Sequence, residues 1–387
     1  MWSLHRAAAV LGHAQHPASS ALARGRCRHG DPMAVHVGSS PLPQVVLSRD
    51  LGVNAVREAA AHGLVKVMHG AFAAPLADAS SPHAADHLAR ARIRAVSHRL
   101  TKDAVFSHES AALLHGLWLL ETPAAVHITQ AYKPRASTPA LRRHAGTMPT
   151  SDVVEVQGLP VTSVERTIAD LAKLMHPREA LVLADSGMRL LVQPDRDRRA
   201  TATELTDDVR TRILAKVEGG PHQGRRQARV VAAYADPFSE SPYESVVRWI
   251  ALSRGLPRPV LQQRFDIRGN TYYTDICWEF ELTIDGIAFR LRLIAEYDGE
   301  QKYLAGADGD ADPEAAAQAV LREKRREDDL RSLADTTVQR FDRSDVRPVE
   351  ATFHRLCAAL PASYRVSLRP VPELVGLARP RQHRTDA

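Results

Sequence analysis

The chain has 387 residues, which is long enough for two or three domains that each enclose a core of their own. Its hydrophobic fraction of 44% and charged fraction of 25% are typical of a soluble globular protein. No uncharged apolar run approaches the roughly 18 residues of a membrane helix, so we expect no membrane partner. The formal net charge of +6 permits a polyanionic partner without requiring one.

The three cysteines, Cys27, Cys277 and Cys357, lie far apart in the sequence. An odd number without a close pair argues against a disulfide framework and against a zinc site. We therefore expect a protein of the reducing cytoplasm.

The first forty residues differ from the rest in composition. Residues 1–30 contain arginines and histidines but no acid, and the first carboxylate is Asp31. An organellar presequence has a similar composition, but the apolar run 7–11 is too short for a secretory signal. We expect a disordered extension over residues 1–40, or a translation start at Met33 in place of Met1.

Residues 41–80 predict two short helices followed by a hairpin. Asn54 is suited to cap the second helix, and Gly63 is suited to end it. The stretch that follows alternates in polarity and turns at His69 and Gly70, as a small β-wing does. This order is the winged helix-turn-helix pattern, in which the second helix enters a DNA major groove.

Positive charge on this module is sparse. Arg57 on the second helix and Lys66 on the wing are the expected DNA contacts. The alternative is a small module that only packs against the rest of the protein.

Residues 81–235 predict a mixed α/β region. Ser107 begins a helix that Gly116 ends. His108 and His115 lie seven apart on one side of that helix, but no partner ligand is evident, so we interpret them as packing or capping residues.

The second half of this region combines a helix with polar stretches. Thr162 and Glu165 have the spacing of a capping box, so a helix is expected to start there. The polar stretch 193–210 is interpreted as a linker, and residues 219–229 lead into a basic helix.

Residues 236–350 contain an unusual set of acids. Ser241 and Pro242 open an amphipathic helix with Glu244 in its first turn. Asp275 lies inside a predicted strand, although aspartate is poorly suited to a half-buried pleat.

Two further acids, Glu296 and Asp298, follow the largely apolar strand 289–295. Positions two apart share one face of a strand and lie about 6.6 Å apart along it. At an effective dielectric constant of 20 their repulsion is about 2.5 kcal/mol, and Asp275 would add to it. Such a cluster requires water or a cation, and Mg²⁺ on two carboxylates is a common solution.

A long basic helix and one more strand, 337–346, complete this region. From this order of elements we expect residues 241–346 to form one α/β unit in which the strands of Asp275 and Glu296 are adjacent. The basic side chains that could grip a nucleic-acid backbone are Arg322, Lys324, Arg325 and Arg326. The alternative is an exposed face of ion pairs with Glu323, Glu327 and Asp328. Residues 351–387 are interpreted as a C-terminal tail.

Five segments in the same order resemble the restriction-endonuclease-like domain related to very-short-patch-repair endonucleases. They are SPYES (241–245), YYTDICW (272–278), EYDGEQKY (296–303), EKRREDDLRSL (323–333) and VQRF (338–341). Residues 42–235, through FSHESAALLHGL and SVERTIADLA, resemble actinobacterial proteins grouped with AbiEi-type antitoxins of type IV toxin–antitoxin systems. The implied fold class is α+β multidomain, with a winged helix-turn-helix, a mixed α/β middle region and a mixed sheet with flanking helices.

The nuclease resemblance implies a role for each acid. Asp275 and Glu296 would hold Mg²⁺, or Mn²⁺ in its place, with Asp298 contacting the ion directly or through water. Glu244 would match the helix acid of the family. Lys302 would be the basic residue near the attacking water. The common pattern has lysine two residues after the second acid, but this chain has Asp298 there.

The sequence therefore leaves two functions open. One is a Mg²⁺-dependent DNA endonuclease targeted by an N-terminal DNA-binding module. The other is a non-enzymatic regulator of the antitoxin type, with DNA and a cognate toxin as partners, whose nuclease-like domain is inactive.

Overall fold

The computed structural model describes most of the chain from residue 41 to residue 376. The described ranges are 41–51, 54–78, 82–100, 103–132, 137–284, 286–298 and 313–376. The expected extension 1–40, Lys302 and the end of the expected tail lie outside them. The chain divides into two compact units, unit 1 up to Thr167 and unit 2 from Ile168 onward. This division lies inside the region 81–235 that the sequence treated as one.

Helices and three sheets make up the described residues, which confirms the α+β class. None of the described helices combines the length and the apolarity that crossing a membrane requires.

Unit 1 opens with the two helices and the hairpin that the sequence predicted. Its first elements are β1 (Val46–Leu47), α1 (Ser48–Leu51), α2 (Ala55–Ala61), β2 (Val65–Met68), β3 (Ala71–Ala73) and α3 (Pro82–Ser97). The strands form a sheet in the order β1-β3-β2. Gly63, after α2, and Gly70, in the hairpin turn, have φ of +68° and +65°, a conformation that glycine adopts without steric cost. Asn54 is at the N-cap of α2, but its side chain makes no capping hydrogen bond.

A five-stranded sheet follows in unit 1. Its elements are β4 (Val105–Phe106), α4 (His108–His115), β5 (Val126–Gln130), β6 (Leu141–Ala145), β7 (Val153–Val156) and β8 (Leu159–Thr162). The strand order is β6-β5-β4-β8-β7, with β5 parallel to β6 and β4 parallel to β8. Ser107 is at the N-cap of α4 and Gly116 ends it in the left-handed conformation, as the sequence predicted, although the Ser107 side chain makes no capping hydrogen bond.

Helix α5 (Val164–Leu174) begins one residue later than the capping-box pattern indicated. The cap is Ser163, whose Oγ accepts the amide of Arg166 at 3.2 Å. Thr162 instead makes a buried hydroxyl–hydroxyl hydrogen bond with Thr167 at 2.8 Å.

Unit 2 contains four further helices before its sheet: α6 (Pro177–Val192), α7 (Arg199–Gly219), α8 (Arg225–Tyr234) and α9 (Pro242–Ser253). The linker predicted for residues 193–210 is wrong, because most of that stretch belongs to the 21-residue helix α7. One side of this helix is buried, although many of its other residues are charged. The buried residues recur at helical spacing and are Ala202, Thr206, Val209, Ile213 and Val217. Their apolar signal is diluted by the surrounding arginines and aspartates, so the stretch appears polar in sequence.

The four-stranded sheet of unit 2 consists of β9 (Val260–Ile267), β10 (Asn270–Ile284), β11 (Ile287–Tyr297) and β12 (Thr336–Phe341). Strands β9, β10 and β11 form an antiparallel meander, and β12 adds to β11 in parallel after helix α10 (Pro313–Arg331). The β9–β10 turn consists of Arg268 and Gly269, both with positive φ, which is the geometry that matches the twist of a two-residue hairpin. Leu330 of α10 packs on Cys277 and Ile294, so this helix covers one face of the sheet.

The described part of the expected tail is folded. Helices α11 (Val349–Leu356), α12 (Ala362–Ser367) and α13 (Pro372–Val375) follow the sheet. Leu374 is fully buried, and its carbonyl accepts the indole N–H of Trp249 at 2.9 Å. The interpretation of residues 351–387 as a tail is therefore wrong up to Gly376, because these side chains complete the core around α9.

Candidate functional site

Asp275 and Glu296 lie level with each other on neighbouring strands. The antiparallel register pairs Ile276 of β10 with Ala295 of β11, and one step further it sets Asp275 opposite Glu296 on the same face. The Asp275 carboxylate accepts the backbone N–H of Tyr297 at 2.9 Å. The predicted adjacency of these two strands is confirmed.

Glu244 reaches the same region from the first turn of α9. Ser241 caps the helix, with its Oγ accepting the Glu244 amide at 3.2 Å, and Pro242 occupies the first turn as the sequence predicted. The Glu244 carboxylate accepts the Glu240 amide at 2.8 Å and is buried. The cap thus fixes the side chain inward. We refer to Glu244, Asp275 and Glu296 as the acid cluster.

The three carboxylates of the acid cluster repel one another. Burial, and then the charge of Asp275, raise the pKa of Glu244 well above its usual range. Burial and Asp275 likewise raise the pKa of Glu296 to about 7, although Arg326 acts in the opposite direction. Asp275 is thus the shared electrostatic neighbour of both glutamates, as expected when like charges crowd a site of low dielectric constant.

Arg326 of α10 points into the acid cluster. Its Nη2 donates to Glu296 Oε2 at 2.7 Å and to the carbonyl of Tyr273 at 3.0 Å, and its Nη1 donates to Glu323 at 3.2 Å. The other carboxylate oxygen of Glu296, Oε1, is buried without a hydrogen-bond partner among the described residues. One carboxylate oxygen of Glu296 therefore accepts a hydrogen bond from Arg326, and the other accepts none from the described residues.

The other predicted backbone-gripping residues of α10 are Arg322, Lys324 and Arg325, which are exposed. Arg326 differs from them because it is half-buried in ion pairs. The alternative of ion pairs along the helix holds in part, since Arg331 and Glu327 pair at 2.6 Å.

Arg340 is a member of the site that sequence reasoning missed. The parallel register pairs Arg340 of β12 with Glu296 of β11. Its guanidinium donates to Asp298 at 3.0 Å and to Glu323 at 2.6 Å. Asp298 therefore neutralises a cation from the neighbouring strand.

The expected DNA contacts of unit 1 are on its surface. Arg57 on α2 and Lys66 on β2 are both exposed. Val56, next to Arg57, is also 68% exposed, so this face of α2 is open.

A second group of chemically capable side chains lies in unit 1. Within the described ranges, one set of three histidine, cysteine or acidic residues brings its ligand atoms within 4.8 Å of one another: His108, His127 and His144. His115 does not belong to this set, and its Nε2 donates to the carbonyl of Thr162 at 2.7 Å, which agrees with the packing role expected for it. The neighbours of His108 in this set lie on β5 and β6, and no spacing in the sequence predicts that they come together.

No family model and no curated protein matches this chain. Among solved structures it is similar to the crystal structure of the RV2827C protein from Mycobacterium tuberculosis, with 15% sequence identity and a TM-score of 0.26. The match covers 49% of this chain and 76% of that chain. A similarity of this size carries no argument about fold or function.

Proposed function

We propose that this protein is a Mg²⁺-dependent DNA endonuclease whose acid cluster holds the metal ion. The observation that carries the proposal is the convergence of three carboxylates from α9, β10 and β11. Two of them have a raised pKa because of burial and the third, Asp275. A bound cation would relieve this repulsion.

The donor set fits a hard divalent cation. Carboxylate oxygens are the ligands that Mg²⁺ prefers, with Mn²⁺ as the substitute that accepts the same oxygens. Glu296 Oε1 is a buried oxygen without a hydrogen-bond partner among the described residues, so a ligand there would satisfy it. The three carboxylates are not all within 4.8 Å of one another, so one ion shared by all three would draw them together.

The order of elements around the cluster supports the same function. A helix, three antiparallel strands, a second helix and a parallel fourth strand follow one another from α9 to β12. This order agrees with the mixed sheet and flanking helices of the restriction-endonuclease-like domain that the sequence resembles. Because one fold can serve many functions, the fold alone is weak support for a nuclease, and the acid cluster is the main support.

Phosphodiester hydrolysis defines what each residue would do. Mg²⁺ supplies a Lewis acid for a phosphoryl oxygen and lowers the pKa of water. Asp275 and Glu296 would hold the ion, and Glu244 would hold a second ion or orient water. Arg340 would stabilise negative charge on the phosphate from the position beside Glu296, and Lys302 would assist from the segment outside the described residues.

Binding DNA and metal requires Arg326 to change partners. Its present hydrogen bond to Glu296 occupies one carboxylate oxygen of the cluster. A DNA phosphate group offers a guanidinium two acceptor oxygens, as a carboxylate does. We infer that Arg326 moves from Glu296 to the DNA backbone when substrate and metal bind.

The same ion pair favours a second candidate function. A nuclease-like domain in which Arg326 permanently neutralises Glu296 would be a scaffold, and the protein would act as a DNA-binding regulator of the antitoxin type with a cognate toxin. In both functions unit 1 would contact duplex DNA through Arg57 and Lys66.

A cleavage assay on the full chain separates the two functions. The wild-type protein and a Glu281→Gln control are incubated with supercoiled and linear DNA in Mg²⁺, in Mn²⁺ and in chelator. Glu281 is an exposed acid of β10 that pairs with exposed Arg290, so its amide should not affect the cluster. The nuclease proposal requires metal-dependent cleavage by both proteins and none by Asp275→Asn. DNA binding without cleavage in either metal would favour the regulator.

A further inference from the structure

The histidine cluster, His108, His127 and His144, gathers three imidazoles from three separate elements. His108 is the first residue of α4, His127 lies on β5 and His144 lies on β6. Because β5 and β6 are parallel and pair His127 with Arg142, His144 lies two residues further along the neighbouring strand on the same face.

The ring nitrogens are close enough for one small ion. His127 Nδ1 and His144 Nε2 are 3.1 Å apart. Two ligands about 2.05 Å from a tetrahedral Zn²⁺ lie about 3.3 Å from each other, so this spacing is within a few tenths of an ångström of the required one. The rings of His108 and His144 stack with centroids 3.9 Å apart and planes 18° from parallel, so the two rings must tilt apart for both to ligate one ion.

A carboxylate lies beside the histidine cluster, although its oxygens are not within 4.8 Å of all three ring nitrogens, so it would have to move in to ligate a shared ion. Glu109 Oε2 is 3.2 Å from His127 Nδ1. Three imidazoles and one carboxylate are a donor set that tetrahedral zinc accepts.

We propose that His108, His127 and His144, with Glu109 as the fourth ligand, bind one Zn²⁺ ion in unit 1. The role of this ion is structural: it joins the start of α4 to β5 and β6. Imidazole is a borderline donor that suits zinc rather than Mg²⁺, so the two units would hold chemically different ions.

Two arginines lie near the histidine cluster. Arg142 and Arg166 oppose a cation nearby, but Arg166 is paired with Asp152 at 3.3 Å.

Hydrogen bonds already orient His108. Its Nδ1 is 3.0 Å from Ser107 Oγ, which also accepts the hydroxyl of Thr129 at 2.8 Å. An oxygen acceptor on the second ring nitrogen is the usual companion of a metal-binding histidine, since it leaves the other nitrogen free to ligate. His108 also has a φ of +52°, a left-handed conformation that costs roughly 1–2 kcal/mol for a residue with a Cβ.

The sequence singles out His108 but gives no sign of its partners. The odd cysteine count argues only against thiolate sites. His127 and His144 lie outside any short motif, and the parallel pairing of β5 with β6 brings them together.

Calorimetric titration of the chelator-stripped full chain with Zn²⁺ tests the proposal. His127→Gln and His144→Gln are compared with His62→Gln, which changes an exposed histidine of unit 1 outside the cluster. We expect wild type and His62→Gln to bind one Zn²⁺ with equal affinity, and each cluster variant to bind at least about 100-fold more weakly. Circular dichroism verifies that each variant is folded.

Co²⁺ in place of Zn²⁺ reports the geometry independently. Wild type should give the intense visible absorption of tetrahedral cobalt, and the cluster variants should lose it. Equal Zn²⁺ affinity in wild type and His127→Gln would overturn the proposal, since 15 of the 18 histidines lie outside the cluster and could bind zinc. No binding of micromolar Zn²⁺ by wild type would also overturn it.

Discussion

Replacing Glu296 with Gln should remove a pH dependence from the stability of unit 2. The pKa of Glu296 is about 7 in the folded protein, against an ordinary value of 4.5. The folded state therefore binds a proton more tightly than the unfolded state does. The contribution of Glu296 to the free energy of unfolding is fully present below pH 4.5 and is lost as the pH rises through 7.

The magnitude follows from the two pKa values. A difference of about 2.5 between them corresponds to about 3 kcal/mol in total, of which some 2–3 kcal/mol is lost between pH 5 and pH 8. Glutamine keeps the shape of the protonated acid without its titration. Glu296→Gln should therefore match wild type at pH 5 and exceed its stability by about 2–3 kcal/mol at pH 8.

Urea unfolding in the presence of a chelator measures this difference. Trp249 and Trp278 are buried in unit 2, so their fluorescence reports that unit when Trp2 and Trp118 are replaced by Phe. Working with the difference between variant and wild type cancels the titration of all other groups. The exposed control Glu281→Gln should follow wild type at every pH.

The opposite result would refute this reasoning. If Glu296→Gln is less stable than wild type at pH 8, the ion pair with Arg326 outweighs burial and repulsion by Asp275. The acid cluster would then be a satisfied structural network with no need for a cation.

Three further outcomes are expected. Asp185→Asn should cost about 3–5 kcal/mol in urea unfolding, because Asp185 and Arg248 form a fully buried ion pair and the change leaves the guanidinium without its counter-charge; replacing both by apolar residues should recover most of the loss. The double change Arg57→Ala and Lys66→Ala should reduce the slope of log affinity for duplex DNA against log salt by about two units, and an unchanged slope would assign that module to packing. Lys302→Ala should lower the cleavage rate without weakening Mg²⁺ binding, whereas a lost metal site would contradict a role at the phosphate.

Local signals in the sequence sufficed for much of unit 2. The glycine of the Arg268-Gly269 turn and the alternating segments around it predict the β9–β10 hairpin, because two-residue hairpins need positive φ. Aspartate inside a strand is anomalous by itself, which singled out Asp275. Its adjacency to Glu296 then followed from the order of the strands.

Contacts that depend on strand register or on the orientation of a helix could not be predicted from local signals in the sequence. Arg340 faces Glu296 only because β12 pairs with β11 in parallel. The two strands are joined by a crossover through α10, so the sequence does not determine which of their residues pair. Arg326 was expected on an exposed face with its basic neighbours. Its inward orientation depends on the helical phase of α10 relative to the acid cluster.

The histidine cluster illustrates the same limit in unit 1. His108 appears at the start of a helix with a plausible capping role, and nothing nearby suggests a ligand set. Its neighbours His127 and His144 are contributed by strands that meet only in the folded sheet. Helix α7 was missed for a different reason, since its buried stripe consists partly of alanine and threonine, which carry little hydrophobic signal.

Mg²⁺ titration of the wild-type protein at pH 7, in two buffers of different ionisation enthalpy, tests the cation site most directly. Because the pKa of Glu296 is about 7, binding of the ion should release at least about half a proton, which appears as a difference in heat between the buffers. Asp275→Asn should abolish the binding heat, and Glu281→Gln should leave it unchanged. Mg²⁺ heats that are the same in wild type and Asp275→Asn would contradict the account.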